Sequence, residues 1–280
     1  MEEKYRIPIY LVDAFTDHQF RGNPAAVCIL NRPLKESVMQ NIATEMNLSE
    51  TAFLIPIEEE PAEESSSFSL RWFTPKVEVP LCGHATLATA AVLFSEIALS
   101  TNEINFETIS GRLIAKKEED GILLNFPSNE PEPIDPPNEL LDAIGIFKFK
   151  EVTFARNAKK LLIHLENEES VKNLNPNYKK MISVTPKEDI IGVIVTSPGS
   201  PPYDFISRFF APWVGVDEDP VTGAAHTVLT PYWSKKLNKK QMLAYQASSR
   251  GGKLIVRQSS ENRVDLIGNA VIVLKGELYL

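Results

Sequence analysis

Two stretches of this chain repeat one another at half its length. The first reads Arg71-Trp72-Phe73-Thr74-Pro75 and then Glu78-Val79-Pro80-Leu81-Cys82-Gly83. The second reads Arg208-Phe209-Phe210-Ala211-Pro212 and then Glu218-Asp219-Pro220-Val221-Thr222-Gly223. Each is an Arg-aromatic-Phe-small-Pro strand end, then Glu-x-Pro-apolar-x-Gly, then an apolar helix. The two glycines lie 140 residues apart in a chain of 280. One repeat at half length reads as a duplicated domain, whereas periods of about 20–50 residues would read as a solenoid. The expected domains are 1–127 and 128–280, joined by the Pro-rich stretch that holds Pro127, Pro131, Pro133, Pro136 and Pro137.

The helix after the first repeat limits the fold further. Positions 85–94 carry Ala85, Leu87, Ala88, Ala90, Ala91, Val92, Leu93 and Phe94, which leave hardly any polar face. A helix apolar all round is buried all round. A sheet curled about one central helix is its simplest container, and 222–236 reads as the same helix in the second half. Alternation and turn signals place strands near 7–15, 25–30, 51–57, 68–73, 103–108, 111–117 and 121–126. In the second half strands are expected near 149–155, 160–165, 190–196, 203–210, 253–258, 263–267 and 270–275. Leu34, Val38, Ile42 and Met46 recur every four residues, so 34–47 reads as an amphipathic helix; a further helix is read at 138–144. The like-charged run at 58–64 reads as a solvated loop tip. The fold class is α+β: two pseudo-symmetric domains, each a curled, mostly antiparallel sheet around a central helix.

Composition narrows the partners. With 37 acidic and 29 basic residues the net charge is −8, which speaks against a nucleic-acid surface but permits a local anion pocket. No apolar run reaches about 18 residues, so no membrane span is expected. Met1-Glu2-Glu3-Lys4 opens no secretory signal, and two cysteines, Cys28 and Cys82, read as reduced thiols in a cytoplasmic protein. The four histidines show no metal-ligand spacing, and phosphate-loop, dinucleotide and nucleophile-elbow motifs are missing from the sequence.

Gly83 and Gly223 each open a central helix. A helix N-terminus presents unpaired N–H groups and about half a positive charge. If the halves face each other, both starts converge on one cleft and grip a small carboxylate. The plainer reading is that both glycines only let buried helices begin; the duplication favours the grip.

Asp13-Ala14-Phe15, Phe20-Arg21-Gly22-Asn23-Pro24-Ala25-Ala26-Val27, Leu48-Ser49-Glu50-Thr51-Ala52-Phe53, Leu81-Cys82-Gly83-His84-Ala85-Thr86 and Glu218-Asp219-Pro220-Val221-Thr222-Gly223 resemble the phenazine-biosynthesis PhzF-like isomerases. The resemblance runs from the first strand to the last. It implies the diaminopimelate-epimerase fold, no metal or organic cofactor, a homodimer, and a small carboxylate substrate. By position it implies Glu50 as the proton-transferring base, with His84 and Asp219 beside it. Asn23, Gly83, Thr222, Gly223 and Ala224 are then the substrate-binding candidates. Ala224 stands where the family commonly has Ser, so one substrate-contacting hydroxyl is missing.

The same residues have bland readings. Glu50 reads either as a solvated charge or, beside Ala52 and Phe53 in a partly dry cleft, as a carboxyl raised toward neutral pKa. His84, next to a positive helix end, is expected neutral, either bonding substrate or capping the first turn. Asp219 has Val79 as its repeat counterpart, so the shared fold does not demand an acid there. Asn23 reads equally as a substrate-facing amide and as a turn residue. His226 aligns with Thr86 and reads as structural. Cys82 and Thr222 occupy the places where racemases of this fold class carry two opposed thiols, so a two-thiol mechanism is incomplete. The expected function is a cofactor-independent isomerase. The alternatives are a non-catalytic binding protein that retains the fold, motivated by Ala224 and the acidic tip, and a racemase using Glu50 and Cys82.

Overall fold

The duplication read in the sequence is a duplication of strand topology. The computed structural model describes residues 5–58, 61–97, 99–184 and 188–280. Met1 to Lys4, and Glu59 and Glu60 of the acidic tip, lie outside the described residues. Two units are present, Met1–Asn125 with Ile267–Leu280, and Phe126–Leu266.

The first unit runs β1 (Arg6–Ala14), β2 (Asn23–Ile29), α1 (Glu36–Met46), β3 (Glu50–Pro56), β4 (Ser67–Phe73), β5 (Glu78–Val79), α2 (Gly83–Ser95), β6 (Glu103–Thr108), β7 (Gly111–Glu118) and β8 (Gly121–Pro127). The chain continues with β9 (Glu132–Pro133), α3 (Asn138–Ile144), β10 (Glu151–Ala155), β11 (Lys160–His164), α4 (Glu168–Lys172), α5 (Tyr178–Ser183), β12 (Gly192–Pro198), β13 (Phe205–Ala211) and β14 (Val216–Glu218). It closes with α6 (Gly223–Leu237), β15 (Gln241–Gln246), β16 (Gly252–Ser260), β17 (Arg263–Gly268) and β18 (Ala270–Tyr279).

In the first unit β1 pairs antiparallel with β2, β2 parallel with β3, β3 antiparallel with β4, and β4 antiparallel with β5 but parallel with β6. The second unit repeats the series through β10, β11, β12, β13, β14 and β15. Register fixes the equivalences. Thr51 faces Phe73 as Val193 faces Phe210, so Gly192 holds the place of Glu50. The repeated arginines form the same forked ion pair: Arg71 donates to both Glu78 carboxylate oxygens at 2.7 Å, and Arg208 to both of Glu218 at 2.7 and 2.8 Å.

Every residue of α2 from His84 to Phe94 is buried. This helix packs against β1, β2, β3, β7 and β18, as its lack of a polar face requires. Side chains such as Leu87, Val92 and Leu93 each contribute about 1.5–3 kcal/mol by leaving water. On the other side of the same sheet, α1 lays Met39, Ile42 and Ala43 into a core with Ile7, Cys28 and Phe53. In the second unit, α6 stacks Trp233 on Phe205 at 5.6 Å, and the indole N–H donates to Thr196 Oγ1 at 3.0 Å. Pro231 within α6 has no N–H to give the Thr227 carbonyl, and the Asn129 N–H supplies that bond at 3.0 Å. Leu140, Leu141 and Ile144 of α3 with Val171 and Met181 build the outer core of this unit.

The fold differs from the sequence expectation in three places. The last strand does not stay with the second half: β18 runs antiparallel along β1, because its half-buried face completes the first sheet. The stretch 241–246 forms a strand, β15, that the sequence reading left unassigned; its polar residues Gln241, Tyr245 and Gln246 mask an alternation that is buried at Met242, Ala244 and Gln246. The short helices α4 and α5 start at Asn167 and Asn177, whose side chains cap Ser170 and Lys180, and are too short to show helical periodicity. Among the described residues no helix is long and apolar enough to cross a membrane.

Candidate active site

In the first unit the loop before β2 sets the first residue. Gly22 has φ +65°, and a Cβ there would stand 2.1 Å from the Ala14 carbonyl oxygen, so the turn requires glycine. Asp13 Oδ2 accepts the Phe20 N–H at 2.7 Å and ties the same loop. Asn23 then starts β2 fully buried. Its Nδ2 lies 3.1 Å from His84 Nδ1, and its Oδ1 accepts the Ser49 hydroxyl at 3.2 Å. Both ends of the amide are thereby engaged inside the protein, one of them on the imidazole.

His84, the second residue of α2, is held between three groups. Nε2 lies 3.1 Å from Glu50 Oε2, and Nδ1 faces Cys82 Sγ at 3.5 Å as well as Asn23. Glu50 Oε2 and His84 Nε2 are at ion-pair distance but off the line of a hydrogen bond, so neither atom has a well-aligned partner. Glu50 opens β3 with its side chain 18% exposed, against 6% for His84. The carboxylate is therefore the member of the pair that reaches solvent.

Burial disfavours a charged imidazole here, yet Cys82 and Glu50 outweigh it and hold His84 well above its ordinary range. Burial, reinforced by Glu50, pushes the Cys82 thiol up to about 11. At neutral pH Cys82 is therefore the thiol. The helix start alone favours a neutral imidazole; Cys82 and Glu50 act in the opposite direction. With the Asn23 amide donating, the ring proton sits on Nε2 toward Glu50. A doubly protonated ring needs the amide turned over, with Oδ1 toward Nδ1. The amide thus follows the proton.

Glu50, Cys82 and His84 each present one potential metal ligand atom within 4.8 Å of the others. The imidazole stands between the other two, with Cys82 at Nδ1 and Glu50 at Nε2.

In the second unit Thr222 precedes α6, and its hydroxyl donates to Asp219 Oδ2 at 2.6 Å. Gln246 of β15 is fully buried and clamps the loop: Oε1 accepts the Thr222 N–H at 2.9 Å and Nε2 donates to the Asp219 carbonyl at 2.7 Å. Ser248 donates to the Pro220 carbonyl at 2.8 Å. Gly223 is the buried first residue of α6, and Ala224 beside it is exposed. His226 Nδ1 bonds the Thr222 carbonyl at 2.8 Å, as Thr86 Oγ1 bonds the Cys82 carbonyl at 2.5 Å, which is the structural role read for it.

Three polar residues of these loops escaped the sequence reading. Ser49 lay inside a quoted motif but was given no role. Gln246 belongs to the unassigned strand and carries no local motif. Lys160 was taken as an ordinary strand residue, and only the repeat could have flagged it, since it begins β11 as Asn23 begins β2.

The chain is similar over nearly its whole length to known proteins. The sequence profile of the phenazine biosynthesis-like proteins, PhzC-PhzF, matches residues 12–276. An uncharacterized isomerase of Halalkalibacterium halodurans is 50% identical over 276 residues, covering 98% of each chain. A phenazine biosynthesis-like domain-containing protein of Mus musculus is 47% identical over 285 residues, covering 98% of this chain and 99% of that one. The crystal structure of a PhzF-family protein of Enterococcus faecalis superposes with a TM-score of 0.90 at 43% identity, over 99% of this chain and all of the other. The chain belongs to the phenazine biosynthesis-like PhzC-PhzF family, with the isomerase/epimerase-type fold of that family.

Proposed function

We propose that the protein is a cofactor-independent isomerase that moves a proton on a small carboxylate substrate, with Glu50 as the base. The observation that carries this reading is the Glu50–His84 pair: a partly exposed carboxylate 3.1 Å from a buried imidazole, each with a polar atom left without an aligned partner. Such a pair can take a proton from carbon and return it, because the charge left behind is compensated by a group already in place.

Each residue has a part. Glu50 removes a proton next to a carbonyl or an unsaturated acid and delivers it to another carbon on the same face. His84 stabilises the carboxylate between turnovers, and Asn23, itself backed by Ser49, fixes the ring. Asp219, oriented by Thr222, contributes a second acid, and the backbone N–H groups at the helix starts, Gly83 and Gly223, are the candidates for holding the substrate carboxylate. Ala224 offers no hydroxyl to that ligand. The homodimer and the cytosolic location belong to the same reading, and Cys28 and Cys82 are both free.

The racemase alternative fares worse on what the two loops present. Cys82 is held as a thiol by burial, and Thr222, at the other position, already donates to Asp219. The test is to incubate the protein in D₂O with small unsaturated acids and 2-amino acids, following deuterium by NMR. Label at a new carbon with a shifted double bond, retained in Cys82→Ser, is the expected result. Label with inversion at the α-carbon, lost in Cys82→Ser, would make the protein a thiol racemase.

A further inference from the structure

Lys160 is a buried charged side chain within electrostatic reach of Asp219 that the proposed reaction does not use. It is 7% exposed, in the first position of β11. Its Nζ donates to the Ala158 carbonyl at 3.0 Å and lies 5.8 Å from the centre of the Phe209 ring. Among the described residues no carboxylate closes on it as an ion pair, so the buried ammonium has no anionic partner in contact. Burial lowers its pKa to about 8, and Asp219 is the charged group that works against the shift. A buried ammonium held this way has an electrostatic cost that an incoming anion would relieve.

The repeat shows where this amine points chemically. Lys160 pairs with Ala155, the last residue of β10, as Asn23 pairs with Ala14, the last residue of β1. By the parallel pairing, Lys160 faces Gly192 as Ala25 faces Glu50. The two registers differ by two residues, which keeps the same face of the strand. In the first unit that face carries Asn23, the partner of His84. In the second it carries Lys160, within the electrostatic reach of Asp219.

We propose that Lys160 binds an anionic oxygen of the substrate, so that the substrate carries a second acidic group besides the carboxylate assigned to the helix starts. This rests on the isomerase reading for its substrate and names the class: a small diacid. The specificity follows from chemistry. A monocarboxylate leaves the buried ammonium without an anionic partner, whereas a diacid supplies one.

Calorimetric binding of malonate, succinate and glutarate, compared with acetate, propionate and butyrate, tests the proposal on the full chain. Wild type is expected to prefer its best diacid by at least about tenfold, the factor one charge-assisted hydrogen bond supplies. Lys160→Met should abolish that preference and leave monoacid binding unchanged; Lys160→Gln serves if the Met variant fails to fold. Lys160→Arg should retain part of it. A diacid preference that survives in a folded Lys160→Met or Lys160→Gln protein overturns the proposal, as does a wild type with no such preference. The two readings fail separately: diacid preference without deuterium exchange removes the isomerase and leaves Lys160, and exchange without the preference does the reverse.

Discussion

At equivalent places the two halves carry Glu50 and Gly192, His84 and Ala224, Cys82 and Thr222, and at the start of the second strand Asn23 and Lys160. The scaffold that presents them is the same, down to the forked Arg–Glu pair. The chemistry is divided. The first half holds a carboxylate and an imidazole in contact; the second holds no acid on the strand and no imidazole at the helix start, but an aspartate on the loop and a buried amine. Duplication thus fixed two helix starts and left each half to specialise. In the proposed function the first transfers the proton and the second holds charge.

The largest expected difference lies in the arginine pairs. Arg208 and Glu218 are 10% and 17% exposed, and Arg208 Nη1 also donates to the Leu174 carbonyl at 2.7 Å. Arg208→Met should cost about 3 kcal/mol, because it leaves the half-buried Glu218 carboxylate and the Leu174 carbonyl without their donor. Arg71 is 31% exposed, so Arg71→Met should cost about 1 kcal/mol. Urea denaturation of both variants checks the order, and equal losses would break the comparison.

Next comes the place without a carboxylate. A Cβ on Gly192 would lie 2.3 Å from the tip of the Phe209 ring. Gly192→Ala should destabilise by about 1–3 kcal/mol, and Phe209→Leu in the same chain should recover most of it. Without rescue, the ring is not what keeps this position glycine.

A third difference concerns pH. His84 is raised in the folded protein above its ordinary 6.5, so its pairing contributes stability in full below that pH. The contribution is lost as pH rises through the higher folded pKa. Wild type should therefore lose stability relative to His84→Gln on alkalinisation, and a gain would contradict the sign. Lys160 works the other way. With a folded pKa of about 8 against 10.5, the unfolded chain binds more protons between those values, and stability rises across them. Lys160→Met should remove that slope and stabilise the protein at neutral pH by up to on the order of 3 kcal/mol.

Much of this division was legible in the residues. The repeat located both helix starts, and the unbroken apolar run of α2 required a sheet around it. Glu50, His84 and Asp219 came from motifs whose spacing survives in one sequence. Lys160 and Gln246 were not legible, because a lysine opening a strand and a glutamine in a polar strand look like surface residues until the fold buries them. The strand exchange of β18 was hidden for a different reason: which sheet edge a terminal strand joins depends on a partner 260 residues away in sequence, Leu11 facing Leu274 among them. The upward push on the His84 pKa depends on its distance to Glu50, which local position could not supply.

The division of labour is tested most directly by Glu50→Gln, with deuterium exchange and ligand binding measured on the same sample. Gln keeps the shape of Glu but cannot cycle a proton. Exchange into the substrate should fall by at least about 10²–10⁴-fold while the dissociation constant stays where it was. Exchange at the wild-type rate in a folded Glu50→Gln protein would contradict the account.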